Sequence, residues 1–172
     1  GIYPRDREQD YTKSGYEAYG QFVAQRLKPH VDATLRTLGG PEDTAVMGAS
    51  LGGVVSLYLA WQWPDVFGMT ACLSSTFGWR DDLHARINTE ATRDIRIYLD
   101  SGWPQDNFEV TRDMVALLTS RGYEHGRKLL YFAFPGAHHN EAAWAVRSHI
   151  PFQFLFGNRQ LSARHHPDHL VE

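Results

Sequence analysis

The sequence predicts an α/β fold in which a parallel β-sheet has helices on both of its faces. Short apolar runs alternate with stretches of helical periodicity along almost the whole chain, which is typical of βαβ units. One strand-to-helix junction is a tight, glycine-rich turn at residues 48–53. A length of 172 residues indicates a single domain, which we place at residues 1–156, followed by a polar, mobile tail at 157–172.

The first predicted element is an amphipathic helix at residues 15–38, because apolar side chains from Tyr16 to Leu35 recur at steps of three and four. Pro29 is expected to kink this helix, and the Gly-Gly-Pro sequence at 39–41 to end it. The remaining elements follow from the same periodicities and from the glycines and prolines between them. Strands are predicted at 44–47, 69–74, 95–99 and 128–134, and helices at 51–63, 81–91, 108–121 and 141–156.

Composition and charge exclude several classes of function. The chain is 42% hydrophobic and 22% charged, which is close to the globular average, and its net charge is −3. Because it has no basic block that would bind a phosphate backbone, we expect no nucleic-acid partner. No apolar stretch approaches the roughly 20 residues of a bilayer span, so we expect no membrane partner.

Cysteine and histidine usage predicts a chain without disulfides or metal. Cys72 is the only cysteine, and in a predicted strand it is expected to be an inert, buried thiol. An internal disulfide is therefore excluded, and no signal-peptide pattern is visible, so a cytoplasmic location is the default expectation. The tail histidines His165, His166 and His169 lack the spacing of a metal site. We expect no metal and no cofactor.

A Gly-x-Ser-x-Gly motif at residues 48–52 lies between a predicted strand and a predicted helix. The chain must reverse sharply there to project a serine hydroxyl from the top of the sheet, and side chains two residues to either side would collide. The motif therefore indicates a nucleophile elbow with Ser50 as the nucleophile. The backbone N–H of Leu51, directly after the serine, is then a donor to the oxyanion.

A serine nucleophile needs a base to take its proton and a carboxylate to orient that base. On this scaffold the acid and then the histidine follow the serine, each in a loop after a later strand. The first such loop holds Asp100 and Asp106, and the second holds His138 and His139. Asp100 could instead be a turn residue, Asp106 could cap the helix at 108–121, and the histidines could be ordinary loop residues. The residues alone do not decide between Asp100 and Asp106 for the acid, or between His138 and His139 for the base.

Three segments of the chain resemble the esterase family of α/β-hydrolases that includes enterochelin esterases, feruloyl esterases, S-formylglutathione hydrolases and mycolyltransferases. They are residues 48–53, 100–106 and 136–144. In that family the catalytic histidine precedes a tryptophan by five positions, which selects His139. The acid follows the glycine of the preceding loop by a few residues, which favours Asp106. The resemblance covers only the later part of the family domain, so the early strands are expected to be missing.

The resemblance also implies a substrate pocket. Residues 74–79 resemble an aromatic loop that lines the acyl pocket in enterochelin-esterase-like members of the family. Phe77 and Trp79 in this segment are therefore candidate substrate-binding residues, together with Trp103. Ordinary packing is the alternative interpretation for all three side chains.

These residues predict a serine carboxylic-ester hydrolase that forms an acyl-enzyme with a small-molecule acyl ester. One alternative is acyl transfer to an alcohol, which differs only in the second acceptor. Another is a catalytically impaired binding or assembly module, since the second oxyanion donor normally comes from a loop after an early strand. Without the early strands, residues 44–47 would form an exposed sheet edge, so we expect self-association, most simply as a homodimer.

Overall fold

A computed structural model of the chain describes residues 4–157, which form a four-stranded sheet with helices packed on it. All strands are parallel, and their order in the sheet equals their order in the chain. The strands are β1 (Ala45–Ala49), β2 (Met69–Leu73), β3 (Arg96–Trp103) and β4 (Leu129–Pro135). The helices are α1 (Arg7–Asp10), α2 (Tyr16–Phe22), α3 (Lys28–Thr34), α4 (Leu51–Gln62), α5 (Leu83–Thr89), α6 (Phe108–Ser120), α7 (Glu141–Arg147) and α8 (His149–Phe156). The predicted α/β class is confirmed, whereas the predicted tail lies outside the described residues except for Gly157.

Side chains of the strands alternate between two apolar cores, one on each face of the sheet. On one face Cys72, Ile97 and Leu99 belong to the core formed with α2, α4 and α6. On the other face Met69 and Leu73 belong to the core that includes α8. Helices therefore cover both faces, as a buried parallel sheet requires.

The first long helix is continuous but shorter than predicted. α2 passes through a π-helical turn at Val23–Leu27 directly into α3. Pro29 has no N–H to donate to the carbonyl of Gln25 in that turn, so the hydrogen-bond pattern changes there. Leu35 is extended, with φ −120° and ψ 156°, so the predicted helix end at Leu38 is wrong.

Strand β3 extends further than its apolar run predicted. Asp100, Ser101 and Gly102 continue the strand and pair in register with residues 132–134 of β4. The predicted strand stopped at Leu99 because polar residues follow, yet a buried strand accommodates polar side chains that have hydrogen-bond partners. Asp100 is therefore a strand residue and not, as predicted, part of the following loop.

The last predicted helix is two helices, because a proline interrupts its hydrogen bonds. α7 ends at Arg147 and α8 begins at His149. Pro151 cannot donate to the carbonyl of Arg147, so the ladder of α-helical hydrogen bonds is broken at this point. After the break α8 packs against β2 and β3.

Candidate active site

Ser50 lies at the turn between β1 and α4 in a conformation that few residues adopt. Its φ is 58° and its ψ is −125°, an unfavourable region for a residue with a Cβ atom. The Ser50 N–H donates to the carbonyl of Leu73 (2.9 Å), and the N–H of Gly53 donates to the Ser50 carbonyl (3.0 Å). The strained turn is thus held from both sides, and it has the strand–turn–helix setting of a nucleophile elbow.

Two glycines around Ser50 lie in close contact with their surroundings. A Cβ atom on Gly48 would lie 2.4 Å from the carbonyl carbon of Gly52, and a Cβ atom on Gly53 would lie 1.9 Å from Oγ of Ser75. The expected collision at Gly48 is therefore confirmed. The expected collision at Gly52 is wrong, because a Cβ atom there would meet nothing within 4 Å among the described residues. The contact at Gly53 is with a side-chain oxygen that can rotate away, so the backbone contact at Gly48 is the stricter constraint.

The loops after β3 and β4 bring an aspartate and a histidine together. Nδ1 of His139 lies 2.6 Å from Oδ1 of Asp106, whose side chain is 1% exposed. The backbone N–H of Gly102 donates to the other carboxylate oxygen, Oδ2, at 2.9 Å. A Cβ atom on Gly102 would lie 2.1 Å from the carbonyl oxygen of Ala137, so only glycine lets the two loops approach this closely.

Asp106 does not cap the following helix, which was its alternative role. The N-cap residue of α6 is Asn107, and its side chain makes no capping hydrogen bond. Both residues have φ of 62°, in the left-handed region. In this conformation the Asp106 carboxylate contacts Gly102 and His139 rather than the first turn of α6.

Asp100 is buried within the sheet, where no hydrogen bond within residues 4–157 joins it to a histidine. Its carboxylate accepts from the Tyr98 hydroxyl (2.9 Å) and from Nη2 of Arg147 (3.0 Å). Burial raises the pKa of Asp100 to about 6, although the hydrogen bonds from Arg147 and Tyr98 oppose this effect. The structure therefore places Asp106, and not Asp100, beside a histidine.

His139 has the more defined surroundings of the two adjacent histidines. Its side chain is 38% exposed, and its ring packs edge-to-face on Trp144 with centroids 5.0 Å apart. His138 is exposed. Asn140 caps α7, since its Oδ1 accepts from the N–H of Ala143 at 3.0 Å.

Ser50 and Leu51 lie at the start of α4, at the same sheet edge as the aspartate–histidine pair. In the described part of the chain no hydrogen bond joins the Ser50 hydroxyl to His139; such bonds are often long without substrate. Leu51 is the first residue of α4, and the first N–H groups of a helix have no partner within it. Its N–H is therefore suited to bind a negative charge that develops beside Ser50.

The three aromatic residues predicted to bind substrate have different surroundings. Phe77 is buried in the main core. Trp79 is 44% exposed, and Cζ of Arg80 lies 5.3 Å from the centroid of its ring. Trp103 is half-buried at the end of β3 and packs against the core. Their role in substrate binding stays a prediction.

Sequence reasoning missed Ser74 and Arg147, which lie against Asp106. Oγ of Ser74 donates to Oδ2 of Asp106 at 2.6 Å, and Nη2 of Arg147 lies 3.5 Å from the same oxygen. Nδ2 of Asn107 donates to the Ser74 carbonyl at 2.8 Å and so ties the acid loop to the end of β2. The available signals were that Ser74 is the last residue of a predicted strand, at the same end of the sheet, and that Arg147 lies one turn after Trp144. Neither signal is part of a motif with a defined spacing.

The part of the chain that the structure describes contains neither a metal-binding cluster nor a membrane-spanning helix. Within residues 4–157 no group of three or more histidine, cysteine, aspartate or glutamate residues could hold a metal ion. No described helix combines the length and apolarity needed to cross a bilayer. Burial raises the pKa of the Cys72 thiol to about 12, as expected for an unreactive cysteine. The tail histidines lie outside the described residues.

Similarity to solved structures defines the class of the fold. The chain matches the enterobactin esterase FES of Shigella flexneri with a TM-score of 0.73 at 19% identity, over 90% of this chain and 41% of that one. A ferulic acid esterase of Anaeromyces mucronatus matches with a TM-score of 0.72 at 20% identity, over 91% of this chain and 60% of that one. MPT51 of Mycobacterium tuberculosis matches with a TM-score of 0.65 at 17% identity, over 90% of this chain and 74% of that one. These similarities show an α/β-hydrolase fold.

The family follows from the sequence itself. The model of the family described as "Putative esterase" matches residues 3–156, and the chain belongs to that family. No curated protein matches the chain. The chain spans 41% of the length of the Shigella enterobactin esterase.

Proposed function

We propose that this chain is a serine carboxylic-ester hydrolase in which Ser50, Asp106 and His139 form a catalytic triad. The observation that carries the proposal is the 2.6 Å contact of His139 with the buried Asp106 carboxylate, at the sheet edge where Ser50 sits in its strained turn. All three residues follow the carboxyl ends of parallel strands, where open α/β sheets bind ligands. Membership of the esterase family supports the class of reaction.

His139 is the base in this proposal. Its Nδ1–H donates to Asp106, which leaves Nε2 unprotonated and able to accept the proton of Ser50. The Ser50 oxygen attacks the carbonyl carbon of the ester, and the carbonyl oxygen becomes negatively charged. The N–H of Leu51 at the start of α4 stabilises this oxyanion.

The tetrahedral intermediate collapses when His139 gives the proton to the leaving alcohol, and an acyl group remains on Ser50. Water, deprotonated by His139, then attacks the acyl carbonyl. A second collapse releases the carboxylic acid and returns the proton to Ser50. An alcohol in place of water would give acyl transfer by the same steps.

The proposed substrate class is a small-molecule ester. Two of the similar solved structures are an enterobactin esterase and a ferulic acid esterase. A substrate panel should therefore contain nitrophenyl esters of aromatic acids beside those of short aliphatic acids. The relative rates across this panel measure acyl preference.

The test is active-site labelling combined with burst kinetics. In the wild-type protein a fluorophosphonate probe should modify Ser50, located by peptide mass spectrometry, and a nitrophenyl ester should give a burst of nitrophenol. Ser50→Ala should lose the label and on the order of 10⁶-fold in kcat, because a triad works as a unit. Heat-denatured protein is the control and should not be labelled.

Three outcomes would contradict parts of the proposal. A label on another serine, or turnover by Ser50→Ala, would exclude Ser50 as the nucleophile. Ester products formed with an added alcohol in preference to the free acid would indicate an acyltransferase. Absence of both burst and label in the folded wild-type protein would indicate an impaired binding module.

A further inference from the structure

The Ser74 hydroxyl lies at the centre of a buried polar cluster behind Asp106. It donates to Oδ2 of Asp106 at 2.6 Å, and it accepts from Nε1 of Trp144 at 2.9 Å and from Nη2 of Arg147 at 2.6 Å. Ser74 is fully buried at the end of β2, with φ 44°. A non-glycine residue keeps such a conformation only where the surrounding contacts fix it.

The chemistry of the neighbours fixes the direction of the Ser74 proton. A hydroxyl group has one proton to donate and two lone pairs that accept. The indole of Trp144 and the guanidinium of Arg147 can only donate, so they occupy the two lone pairs. The Ser74 proton is left for the Asp106 carboxylate, and Ser74 is therefore an obligatory donor to it.

Arg147 brings a positive charge into the same cluster. Its side chain is 3% exposed, and Nη2 lies 3.0 Å from Oδ1 of Asp100 and 3.5 Å from Oδ2 of Asp106. Two buried carboxylates without this charge would repel each other in a medium of low dielectric. Arg147 thus places one positive charge between the two carboxylates and reduces their repulsion, and on Asp106 it faces the oxygen that His139 does not contact.

Helix α7 connects this cluster to His139. Trp144 and Arg147 are three residues apart, so both project from the same side of the helix. The Trp144 ring donates to Ser74 and also packs edge-to-face on His139. One helix therefore contacts the base directly and the acid through Ser74.

We propose that Ser74 is a positioning residue for the acid Asp106, with Arg147 and Trp144 fixing the direction of its hydroxyl. Together with the N–H of Gly102, Ser74 holds Oδ2 of Asp106, so that the carboxylate does not rotate and Oδ1 stays directed at His139. Because Ser74 is fully buried, it acts through Asp106 and not on the substrate. This role rests on the proposed function, in which Asp106 orients the base.

The first measurement compares kinetic constants of matched variants. Ser74→Ala and Ser74→Gly both remove the hydroxyl, and glycine also relieves the positive φ, so a shared effect does not come from backbone strain. Thr70→Val is the control, because Thr70 is also fully buried in β2 and its hydroxyl, 3.5 Å from Sγ of Cys72, makes no hydrogen bond to the cluster around Asp106 within the described residues. We expect both Ser74 variants to lose roughly 10²-fold in kcat at unchanged KM, and Thr70→Val to keep wild-type constants.

The second measurement needs no turnover. The hydrogen-bonded Nδ1 proton of His139 should give a downfield proton NMR resonance, assigned by its disappearance in His139→Ala. It should shift or broaden in both Ser74 variants and stay in place in Thr70→Val. An unchanged resonance, or wild-type kcat, in folded Ser74 variants would overturn the positioning role. A wild-type protein without turnover would refute the proposed function instead, and the resonance would still decide whether Ser74 positions Asp106.

Discussion

Asp100 and Asp106 are six residues apart in the chain and have opposite surroundings. Asp106 contacts the ring of His139 at 2.6 Å, whereas Asp100 faces Tyr98 and Arg147 inside the sheet. A carboxylate fixes the tautomer of an imidazole by direct contact with its N–H. The role of each aspartate therefore depends on its position relative to β3 and not on its charge.

Exchange of each carboxylate for an amide tests this difference between the two aspartates. Asp106→Asn should lower kcat by on the order of 10⁴-fold, because an amide at this place holds His139 in the wrong tautomer. Asp100→Asn should retain far more activity, since Asp100 acts on His139 only through Arg147 and Ser74. Steady-state kinetics of both variants on one ester measures the two losses. A larger loss in folded Asp100→Asn than in Asp106→Asn would contradict the assignment of the acid.

At the level of single residues, the sequence identified the candidate site residues that belong to a local motif. Ser50 was predicted because its neighbours must be small for the turn to form. The choice between Asp100 and Asp106 needed the family resemblance, because only cross-strand pairing shows that β3 continues past Leu99. Ser74 was missed because its hydroxyl contacts Arg147, a residue 73 positions away in the chain.

The turn between β1 and α4 depends on one glycine of the motif more than on the other. Gly48→Ala should disrupt the turn, because the new Cβ atom would lie 2.4 Å from backbone atoms of Gly52. We expect a loss of at least about 2 kcal/mol in the free energy of unfolding, together with loss of activity. Urea denaturation monitored by circular dichroism measures the change.

Gly52→Ala is the matched control for this prediction. It makes the same substitution four residues later, at a helical position where a Cβ atom meets nothing within 4 Å among the described residues. Alanine is favoured over glycine within a helix by about 1 kcal/mol, so stability should be unchanged or slightly increased. Equal destabilisation by the two substitutions would show that the backbone contact at Gly48 does not set the geometry of the turn.

Tyr16 is one of the residues that attach helix α2 to the rest of the domain. The Tyr16 ring stacks on Tyr58 of α4, with centroids 3.9 Å and planes 6° apart, and its hydroxyl donates to Asp82. Asp82 also accepts from Nε of Arg86 (2.7 Å) and pairs with Nζ of Lys13 (2.8 Å). Asp82 therefore links the segment before α2 to α5, and through Tyr16 to α4.

The stability that Asp82 provides should depend on pH. Burial by itself raises the pKa of Asp82, but hydrogen bonds from Arg86, Lys13 and Tyr16 outweigh it and lower the pKa from 3.8 to about 2. Because the folded pKa lies below the unfolded one, the stabilisation is complete above about pH 4 and is lost as the pH falls towards 2. Asp82→Asn should therefore cost about 2 kcal/mol at pH 6, and the difference from wild type should shrink below pH 4.

Urea denaturation of both proteins at several pH values between 6 and 2 measures this difference. Asp65→Asn is the control, because Asp65 is an exposed aspartate and its substitution should leave stability within about 0.5 kcal/mol at every pH. A constant difference between wild type and Asp82→Asn over the whole range would contradict the lowered pKa.

At the level of elements, apolar periodicity located every strand of the described sheet, because buried parallel strands are continuous apolar runs. It was less accurate at helix ends. Leu35 and Leu38 continue the stripe of the first helix, yet they are 62% and 71% exposed and follow its last turn. An apolar stripe predicts a helix only where another element buries that stripe, and the sequence does not show where the covering element ends.

The described sheet as a whole has β1 at one edge, where it pairs with β2 alone. A cavity of about 280 Å³ lies between β1 and α2, and most of its lining side chains are apolar, among them Val23, Val46 and Val55. Met47 of β1 and Phe22 of α2 are 39% and 50% exposed. An edge strand with apolar surroundings is a template for pairing with another chain.

We therefore propose that the 172-residue chain self-associates across β1, most simply as a two-fold dimer in which the β1 strands of two copies pair antiparallel. Light scattering over a dilution series should give twice the 19.6 kDa chain mass at high concentration. Met47→Lys should give the chain mass throughout, because a charge on an edge strand prevents pairing. Val146→Lys, at an 80% exposed position of α7, is the control and should remain a dimer. A monomeric wild-type protein, or a dimeric Met47→Lys, would refute pairing across β1.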